Sequence, residues 1–148
     1  MPETVASILR QKGHEVWSVS PDASVYEAIE MMADRSVGAL LVLAGDTLVG
    51  IISERDYTRK VILQGRLSKE TAVRDIMTSP VHFVTPAHTL DDGMRIMTTN
   101  GVRHLPVLEG ERVVGLVSLG DLVRRILSMQ GETIQHLQEY ITGKKPPV

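Results

Sequence analysis

The sequence predicts an α/β (α+β) fold in which one β-α-β-β-α unit occurs twice. A shift of 65 residues aligns residues 16–57 with residues 81–122 without a gap, and 13 of these 42 positions are identical. Each copy carries an apolar stripe at helical spacing, followed by two apolar runs joined by a glycine turn. One copy alone would bury only a marginal core. We therefore expect the two copies to pack together with pseudo-two-fold symmetry, which creates two related clefts.

Each copy is predicted to begin with a short strand and a helix. The strand is EVWSVS in the first copy and VHFVT in the second, and each ends at a proline, which cannot donate to a strand ladder. The helices VYEAIEMMADRS and LDDGMRIMTTN follow, with Ser24 and Thr89 as candidate N-caps. Apolar residues recur at i, i+3, i+4 and i+7 from Val25, and the same spacing repeats from Leu90. This spacing predicts one buried face on each helix.

A hairpin and a second helix complete each copy. The hairpins are ALLVLAGDTLVGIIS and HLPVLEGERVVGLVS, and the closing helices are ERDYTRKVILQ and LGDLVRRILSMQ. A Gly-Asp or Gly-Glu pair between apolar runs is a hairpin signal. We expect a first repeat over residues 1–65 with an N-terminal linker helix, and a second over residues 66–130. A C-terminal helix near residues 132–141 and a polar tail should occupy residues 131–148.

Composition and charge exclude several classes of function. Apolar residues make up 43% of the 148 residues, and 16 basic and 18 acidic residues give a net charge of −2. This balance indicates a globular chain with no global attraction to nucleic acid or to anionic lipid. No apolar run approaches the roughly 20 residues that a membrane helix needs. The chain has no cysteine, which excludes disulfides and thiolate metal sites and fits a cytoplasmic setting.

The sequence offers no catalytic or metal-binding pattern. The five histidines show no ligand spacing, and there is no G-x-S-x-G elbow or phosphate-binding P-loop. We therefore predict neither an enzyme nor a metal site.

One motif recurs at the junction between the hairpin and the closing helix. Gly-Ile-Ile-Ser-Glu-Arg-Asp over residues 50–56 returns as Gly-Leu-Val-Ser-Leu-Gly-Asp over residues 115–121. Ser-x-x-Asp at a helix start is close to a capping box, which stabilises a helix by roughly 1 kcal/mol. The same geometry can also place a hydroxyl beside a phosphate and a carboxylate beside two ribose hydroxyls. Both interpretations can hold at once.

Taken in order and found twice, these motifs resemble a tandem pair of cystathionine-beta-synthase (CBS) domains, called a Bateman module. The resemblance covers about residues 4–130 and is carried by the helices with Met32 and Met97 and by two long segments, LLVLAGDTLVGIISERDY and VRHLPVLEGERVVGLVSLGDLV. It implies a regulatory module that binds adenosine-containing ligands between its repeats, AMP first, with ADP, ATP, NAD and S-adenosylmethionine as alternatives. It also implies a homodimer and a regulated protein of unknown identity. The alternative is a structural dimerisation module with vestigial sites.

The resemblance also assigns site residues. Asp56 and Asp121 match the ribose-binding acid, and each cleft should combine the Ser-x-x-Asp of one repeat with strands of the other. The nucleotide-binding residues so implied are Ser53, Arg55, Asp56, Thr78, Val81, Arg103, His104 and Pro106 for one cleft, and Ser118, Asp121, His14, Val16, Gly38 and Ala39 for the other. Arg103 and His104 offer donors to a phosphate, whereas Gly38 and Ala39 offer none. We therefore expect the tighter, more phosphate-dependent site at Asp56, and at Asp121 a weaker site, a site for a less charged ligand, or an empty one.

Overall fold

The computed structural model describes residues 3–129, and two α/β units follow one another along this range. The first contains α1 (Val5–Lys12), β1 (Ser18–Val19), α2 (Val25–Arg35), β2 (Ala39–Ala44), β3 (Thr47–Ser53) and α3 (Glu54–Tyr57), which continues as a π-helix over Thr58–Ile62. Two 3-10 turns, Ser68–Glu70 and Val73–Asp75, lead into the second. The second contains α4 (Leu90–Asn100), β4 (His104–Glu109), β5 (Arg112–Ser118) and α5 (residues 119–129). The predicted helix near residues 132–141 and the tail lie outside the described residues.

Each unit is built on the predicted hairpin. In the first, β2 pairs antiparallel with β3 from Ala39↔Ser53 onwards, and β1 adds a parallel strand beside β2. In the second, β4 pairs with β5 in the matching register, from His104↔Ser118. Gly45 and Gly110 take φ values of 64° and 62° at the two turns, a conformation that glycine adopts without a steric penalty.

Both predicted opening strands are wrong in extent. EVWSVS of the first repeat pairs only over Ser18–Val19. VHFVT of the second repeat forms only a single parallel bridge, between Val84 and Val107. The amide of Thr85 donates to Nδ1 of His88 at 2.8 Å and therefore cannot donate to a neighbouring strand. Pro86 has no N–H to offer. These two residues explain why strand pairing ends directly after Val84.

The predicted helix caps are present. The Ser24 hydroxyl accepts from the Glu27 amide at 3.1 Å. Thr89 and Asp92 cap each other's amides at 3.1 and 2.9 Å, which is a complete capping box. Hydrogen bonds from the Thr89 amide and hydroxyl lower the pKa of Asp92. Stability gained from this ionised cap is present at neutral pH and is lost as the pH falls through the lowered pKa.

The segment that precedes each repeat packs in the hydrophobic core of the other repeat. Leu9 of α1 packs in the core built on β4 and β5, and Val73 and Ile76 pack in the core built on β2 and β3. Two glycines make room for this packing. A Cβ on Gly115 would lie 2.6 Å from the Leu9 side chain, and one on Gly50 would lie 2.5 Å from that of Met77, which is closer than real contacts allow. Packing therefore crosses the sequence division at residue 65, and each half completes the core of the other.

The start of each closing helix is tied to its own hairpin. The Glu54 amide donates to the Gly38 carbonyl at 3.1 Å, and the equivalent Leu119 amide donates to the Arg103 carbonyl at 2.8 Å. These bonds fix the Ser-x-x-Asp junctions against the starts of β2 and β4. Among the helices of the described residues, none has both the length and the apolar character needed to cross a bilayer.

Candidate functional site: the clefts at Asp56 and Asp121

Asp56 is held at the junction of β3 and α3 by its own capping box. Its amide donates to the Ser53 hydroxyl at 3.2 Å, and its Oδ2 accepts from the Ser53 amide at 3.0 Å. The Ser53 hydroxyl also lies 3.1 Å from Oδ2. The capping interpretation is therefore correct for Ser53 and Asp56. It uses Oδ2 and leaves the second carboxylate oxygen facing the cleft.

The second oxygen, Oδ1, faces groups from two elements. The Thr78 hydroxyl lies 3.4 Å away, and the ammonium of Lys60 lies 3.1 Å away. Thr78 is fixed by two main-chain bonds to Ile51, with N···O distances of 2.8 and 3.2 Å. Lys60 also donates to the Ile76 carbonyl at 2.9 Å. The carboxylate is thus ordered and close to the surface, with its side chain 13% exposed.

Both repeats contribute to the cavity beside Asp56. Its volume is about 390 Å³, within the usual range for small-molecule sites. The junction of β3 and α3 forms one wall, and the end of α4 with the start of β4 forms the other. The lining residues are Gly38, Ile51, Ser53, Glu54, Arg55, Asp56, Arg59, Lys60, Thr78, Asn100, Gly101, Val102, Arg103 and His104. A molecule in this cavity would touch both halves of the chain.

The cavity carries an excess of positive charge. Three guanidinium groups, from Arg55, Arg59 and Arg103, line it together with Lys60, against two carboxylates. Arg55 donates to the Gly101 carbonyl at 3.3 Å, and burial and the charges of Arg59 and Arg103 lower the pKa of Arg55. Within residues 3–129, Arg59 and Arg103 have no ion-pair partner. The cavity therefore offers uncompensated guanidinium groups to an anion.

His104 contributes no charge near neutral pH. Burial lowers the pKa of His104, and the nearby Lys12 ammonium lowers it further. The neutral ring still offers one donor and one acceptor. A Cβ on Gly38 would lie 3.3 Å from Oε1 of Glu54 and 3.6 Å from Nε2 of His104. Gly38, which the resemblance assigned to the other cleft, therefore lines the Asp56 cavity at the point where the two repeats meet.

Most of the residues assigned to the Asp56 cleft surround this cavity, and two do not. Ser53, Arg55, Asp56, Thr78, Arg103 and His104 all line it. Val81 is half-buried and not among the lining residues, and Pro106 is buried in β4, where its carbonyl accepts from the Val84 amide at 3.0 Å.

The prediction assigned Gly38 to the other cleft and did not include the rest of the lining residues. Lys60 stands one helical turn after Asp56, a spacing that could have revealed it. Gly101 and Val102 come just before β4, and only tertiary packing brings them to the cavity.

Asp121 has the same cap but different neighbours. Its amide donates to the Ser118 hydroxyl at 3.1 Å, and its Oδ2 accepts from the Ser118 amide at 2.8 Å. The ammonium of Lys12 lies 2.7 Å from the same Oδ2, and a guanidinium nitrogen of Arg124 lies 2.8 Å from Oδ1. Burial alone would raise the pKa of Asp121, but the hydrogen bonds from Lys12 and Ser118 outweigh burial and lower it.

Of the residues assigned to the Asp121 cleft, Ser118 contacts Asp121, and the other four do not line the cavity beside it. A cavity of about 360 Å³ lies beside Asp121 and is lined by Ile8, Gln11, Lys12, Asp121, Arg124, Arg125 and Ser128. His14, Val16, Gly38 and Ala39 are not among these residues. His14 is exposed, with its Nδ1 2.7 Å from the Val114 carbonyl, and Ala39 is buried in β2. α1 continues to Lys12, whose ammonium lies at the Asp121 carboxylate.

Metal ligands do not cluster in the part of the chain that the structure describes. Across residues 3–129, no group of three or more histidine, aspartate or glutamate side chains could hold a metal ion.

Two interlocked α/β units, each with a capped Ser-x-x-Asp junction, define a tandem-repeat module of the kind that the sequence resembles. The family described as CBS domain matches residues 5–62 and, a second time, residues 73–128. The chain therefore belongs to the CBS-domain family and contains a pair of these domains.

Known proteins share both the sequence and the fold. The chain is 40% identical over 150 residues to the mitochondrial CBS domain-containing protein CBSX3 of Arabidopsis thaliana, covering 95% of this chain and 72% of that protein. It is 47% identical, with a TM-score of 0.81, to a solved CBS-domain protein of Burkholderia ambifaria, for which a signal-transduction role has been suggested. That match covers 84% of this chain and 94% of the solved chain. The CBS domain pair of MJ0100, solved with 5'-methylthioadenosine and S-adenosylmethionine, shares the fold at 23% identity and a TM-score of 0.77, covering 87% and 99%.

Proposed function

We propose that this CBS pair is a regulatory, non-catalytic protein that binds an adenosine-containing ligand in the cavity beside Asp56. AMP is the favoured ligand, with ADP, ATP, NAD and S-adenosylmethionine as alternatives. The observation that carries the proposal is the pairing of an ordered carboxylate with uncompensated guanidinium groups in one cavity. A nucleotide presents the complementary pair, a ribose diol and a phosphate.

The sugar would bind at Asp56. An ionised carboxylate only accepts hydrogen bonds, and two neighbouring ribose hydroxyls can both donate to it. Oδ1 faces the cleft, with the Thr78 hydroxyl 3.4 Å away as a further partner for the sugar. Lys60 pairs with the same oxygen at 3.1 Å and lines the cavity, so its ammonium can bind the ligand as well.

The phosphate and the base would occupy the rest of the cavity. Arg59 and Arg103 have no ion pair among the described residues, so a phosphate would meet guanidinium groups that give up no existing partner. Guanidinium groups bind phosphate through two parallel hydrogen bonds. Ile51 and Val102 supply apolar surface for a base. The CBS pair of MJ0100 gives this proposal an analogue, since its structure contains two adenosine-based ligands.

Occupancy would be transmitted because the ligand bridges the repeats. The cavity is lined by α3 on one side and by the α4–β4 connection on the other, and Arg55 already contacts Gly101 across it. A ligand that binds one arrangement of the repeats better than another shifts the population towards it. A partner protein that contacts both halves would respond to that shift.

We further propose that the protein is a cytoplasmic homodimer. Ile62 and Leu127 are 54% and 59% exposed and stand at equivalent positions of the two repeats. Exposed apolar surface of this kind favours association.

Calorimetric titration with AMP and with adenosine tests the proposal. We expect AMP to bind more tightly than adenosine because only AMP uses the guanidinium groups. Arg103→Met should weaken AMP by about tenfold, on the scale of one charged hydrogen bond, and leave adenosine almost unchanged. Arg95→Met is the matched control, since Arg95 is an exposed arginine of α4 outside the cavity.

The alternative function is a structural dimerisation module with vestigial sites. It predicts no heat with any of the adenosine compounds and an unchanged unfolding temperature. Equal affinity for AMP and adenosine would contradict the proposal that the guanidinium groups bind the phosphate. It would leave the proposal that the sugar binds at Asp56 intact.

A further inference from the structure

We infer that Lys12 closes the second cleft, so that the chain takes one adenosine-containing ligand and not two. Lys12 is thus a specificity-determining residue. It donates to the carboxylate and the carbonyl of the second repeat that correspond to the sugar site of the first repeat. This inference rests on the proposed function, since it concerns where that ligand binds.

The internal repeat provides the comparison. The Ile51 carbonyl of β3 accepts from the main-chain amide of Thr78 at 2.8 Å. The equivalent Leu116 carbonyl of β5 accepts from the ammonium of Lys12, also at 2.8 Å. At the first site a main-chain segment fills this position and presents the Thr78 hydroxyl to the cleft. At the second site a charged side chain fills it.

The two carboxylates also differ in how strongly they are neutralised. Asp56 has one cation, Lys60, at 3.1 Å from Oδ1. Asp121 has two, Lys12 at 2.7 Å from Oδ2 and Arg124 at 2.8 Å from Oδ1. Both oxygens of Asp121 are therefore in short ion pairs, and a ribose would compete with two cations for the carboxylate.

The surroundings of the two carboxylates lead to the same conclusion. The Asp56 cavity is lined by residues of both repeats, including the start of β4. The cavity at Asp121 lies between α1 and α5, and neither Gly38 nor Ala39 of the opposite hairpin reaches it. Lys12 spans from α1 to the Asp121 carboxylate and the Leu116 carbonyl, so a residue of α1 stands where a residue of the opposite hairpin was expected.

Removing Lys12 would make the two sites more alike. Asp121 would keep Arg124 as its single cation, as Asp56 keeps Lys60. Arg124 is 72% exposed and stands at the repeat position of Arg59, so it can leave the carboxylate and face a phosphate. We therefore expect one substitution to open the second site.

The test is the stoichiometry of AMP binding to the full chain, measured by calorimetry. The wild-type chain should bind one AMP per chain, and Lys12→Met should bind two. Adding Asp121→Asn to Lys12→Met should return the number to one. Lys69→Met is the matched control, since Lys69 lies over the Tyr26 ring, away from both carboxylates, and should leave the stoichiometry at one.

A ligand-free measurement accompanies the titration. The pKa of the Asp121 carboxyl, followed by NMR, should be low in the wild type and should rise in Lys12→Met, because burial is then opposed by fewer hydrogen bonds. An unchanged pKa would show that the ion pair is not formed in solution and would overturn the inference.

The outcomes separate this inference from the proposed function. A second AMP in the wild type that Asp121→Asn removes would overturn the closure by Lys12 and leave the Asp56 site standing. One AMP in both wild type and Lys12→Met would do the same. AMP binding only in Lys12→Met, and lost with Asp121→Asn, would support the closure and contradict the Asp56 site. No binding in either chain would overturn both.

Discussion

Asp56→Asn is expected to weaken AMP binding by roughly 100-fold. A ribose diol can donate two hydrogen bonds to an ionised carboxylate, and a hydrogen bond to a charged group contributes about 1.5–3 kcal/mol. Losing the charge at both therefore costs about 3 kcal/mol, which is about two orders of magnitude in Kd. Asparagine keeps the size of the side chain, so calorimetric titration with AMP reads the loss of the acceptor and not the creation of a cavity.

Asp121→Asn is the matched control for this substitution. Asp121 has the same relation to its capping serine as Asp56 has, with carboxylate–amide distances of 2.8 and 3.0 Å. Both variants lose the same kind of helix cap, and Asp121→Asn also loses the ion pairs to Lys12 and Arg124, but AMP affinity should fall only in Asp56→Asn. Unchanged AMP affinity in Asp56→Asn would show that the sugar does not bind at Asp56.

Leu9→Ala is expected to lower the free energy of unfolding by about 2–5 kcal/mol, the usual cost of removing a buried leucine side chain. Leu9 is 2% exposed and packs in the core that contains Val107, Val117 and Leu122 of the second half. Leu63→Ala is the control, because Leu63 is 71% exposed and should change stability by less than about 0.5 kcal/mol. Chemical denaturation of both variants measures the difference.

The location of the damage is as informative as its size. Because α1 completes the second core, Leu9→Ala should speed amide hydrogen exchange in β4 and β5 more than in β2 and β3. Faster exchange confined to β2 and β3 would mean that the halves divide at residue 65 in space as well as in sequence, which would contradict the packing of α1 in the second core.

Elements with strong local signals were predictable from the sequence. The second long helix runs over Leu90–Asn100, as its apolar spacing and its Thr89 cap predicted. Both hairpins form around their glycine turns. The α/β repeat fold and the CBS pair are confirmed. They were predictable because a repeat supplies the same signals twice.

Two features of the fold were not predictable from the apolar pattern of the sequence. VHFVT resembles a strand, but a histidine nitrogen takes the Thr85 amide and limits pairing to one bridge. The partner of Leu9 could not be inferred either, because helical spacing indicates a buried face and not the core that receives it. In the structure Leu9 packs in the core built on β4 and β5, and a Cβ on Gly115 would clash with its side chain.

The site divides in the same way. The equivalence of Asp56 and Asp121 follows from the repeat, and both carboxylates cap their helix in the same manner. Their difference comes from Lys12, which is 109 residues away from Asp121 in the chain. A symmetric sequence motif therefore stands in two different electrostatic environments, and the cation count at each carboxylate distinguishes them.

A crystal structure of the full chain with AMP tests the central claim most directly. The account predicts one AMP per chain in the cavity between the repeats, with ribose hydroxyls on the Asp56 carboxylate and the phosphate among Arg55, Arg59 and Arg103. A nucleotide bound elsewhere, or bound in this cavity with its sugar turned away from Asp56, would contradict it.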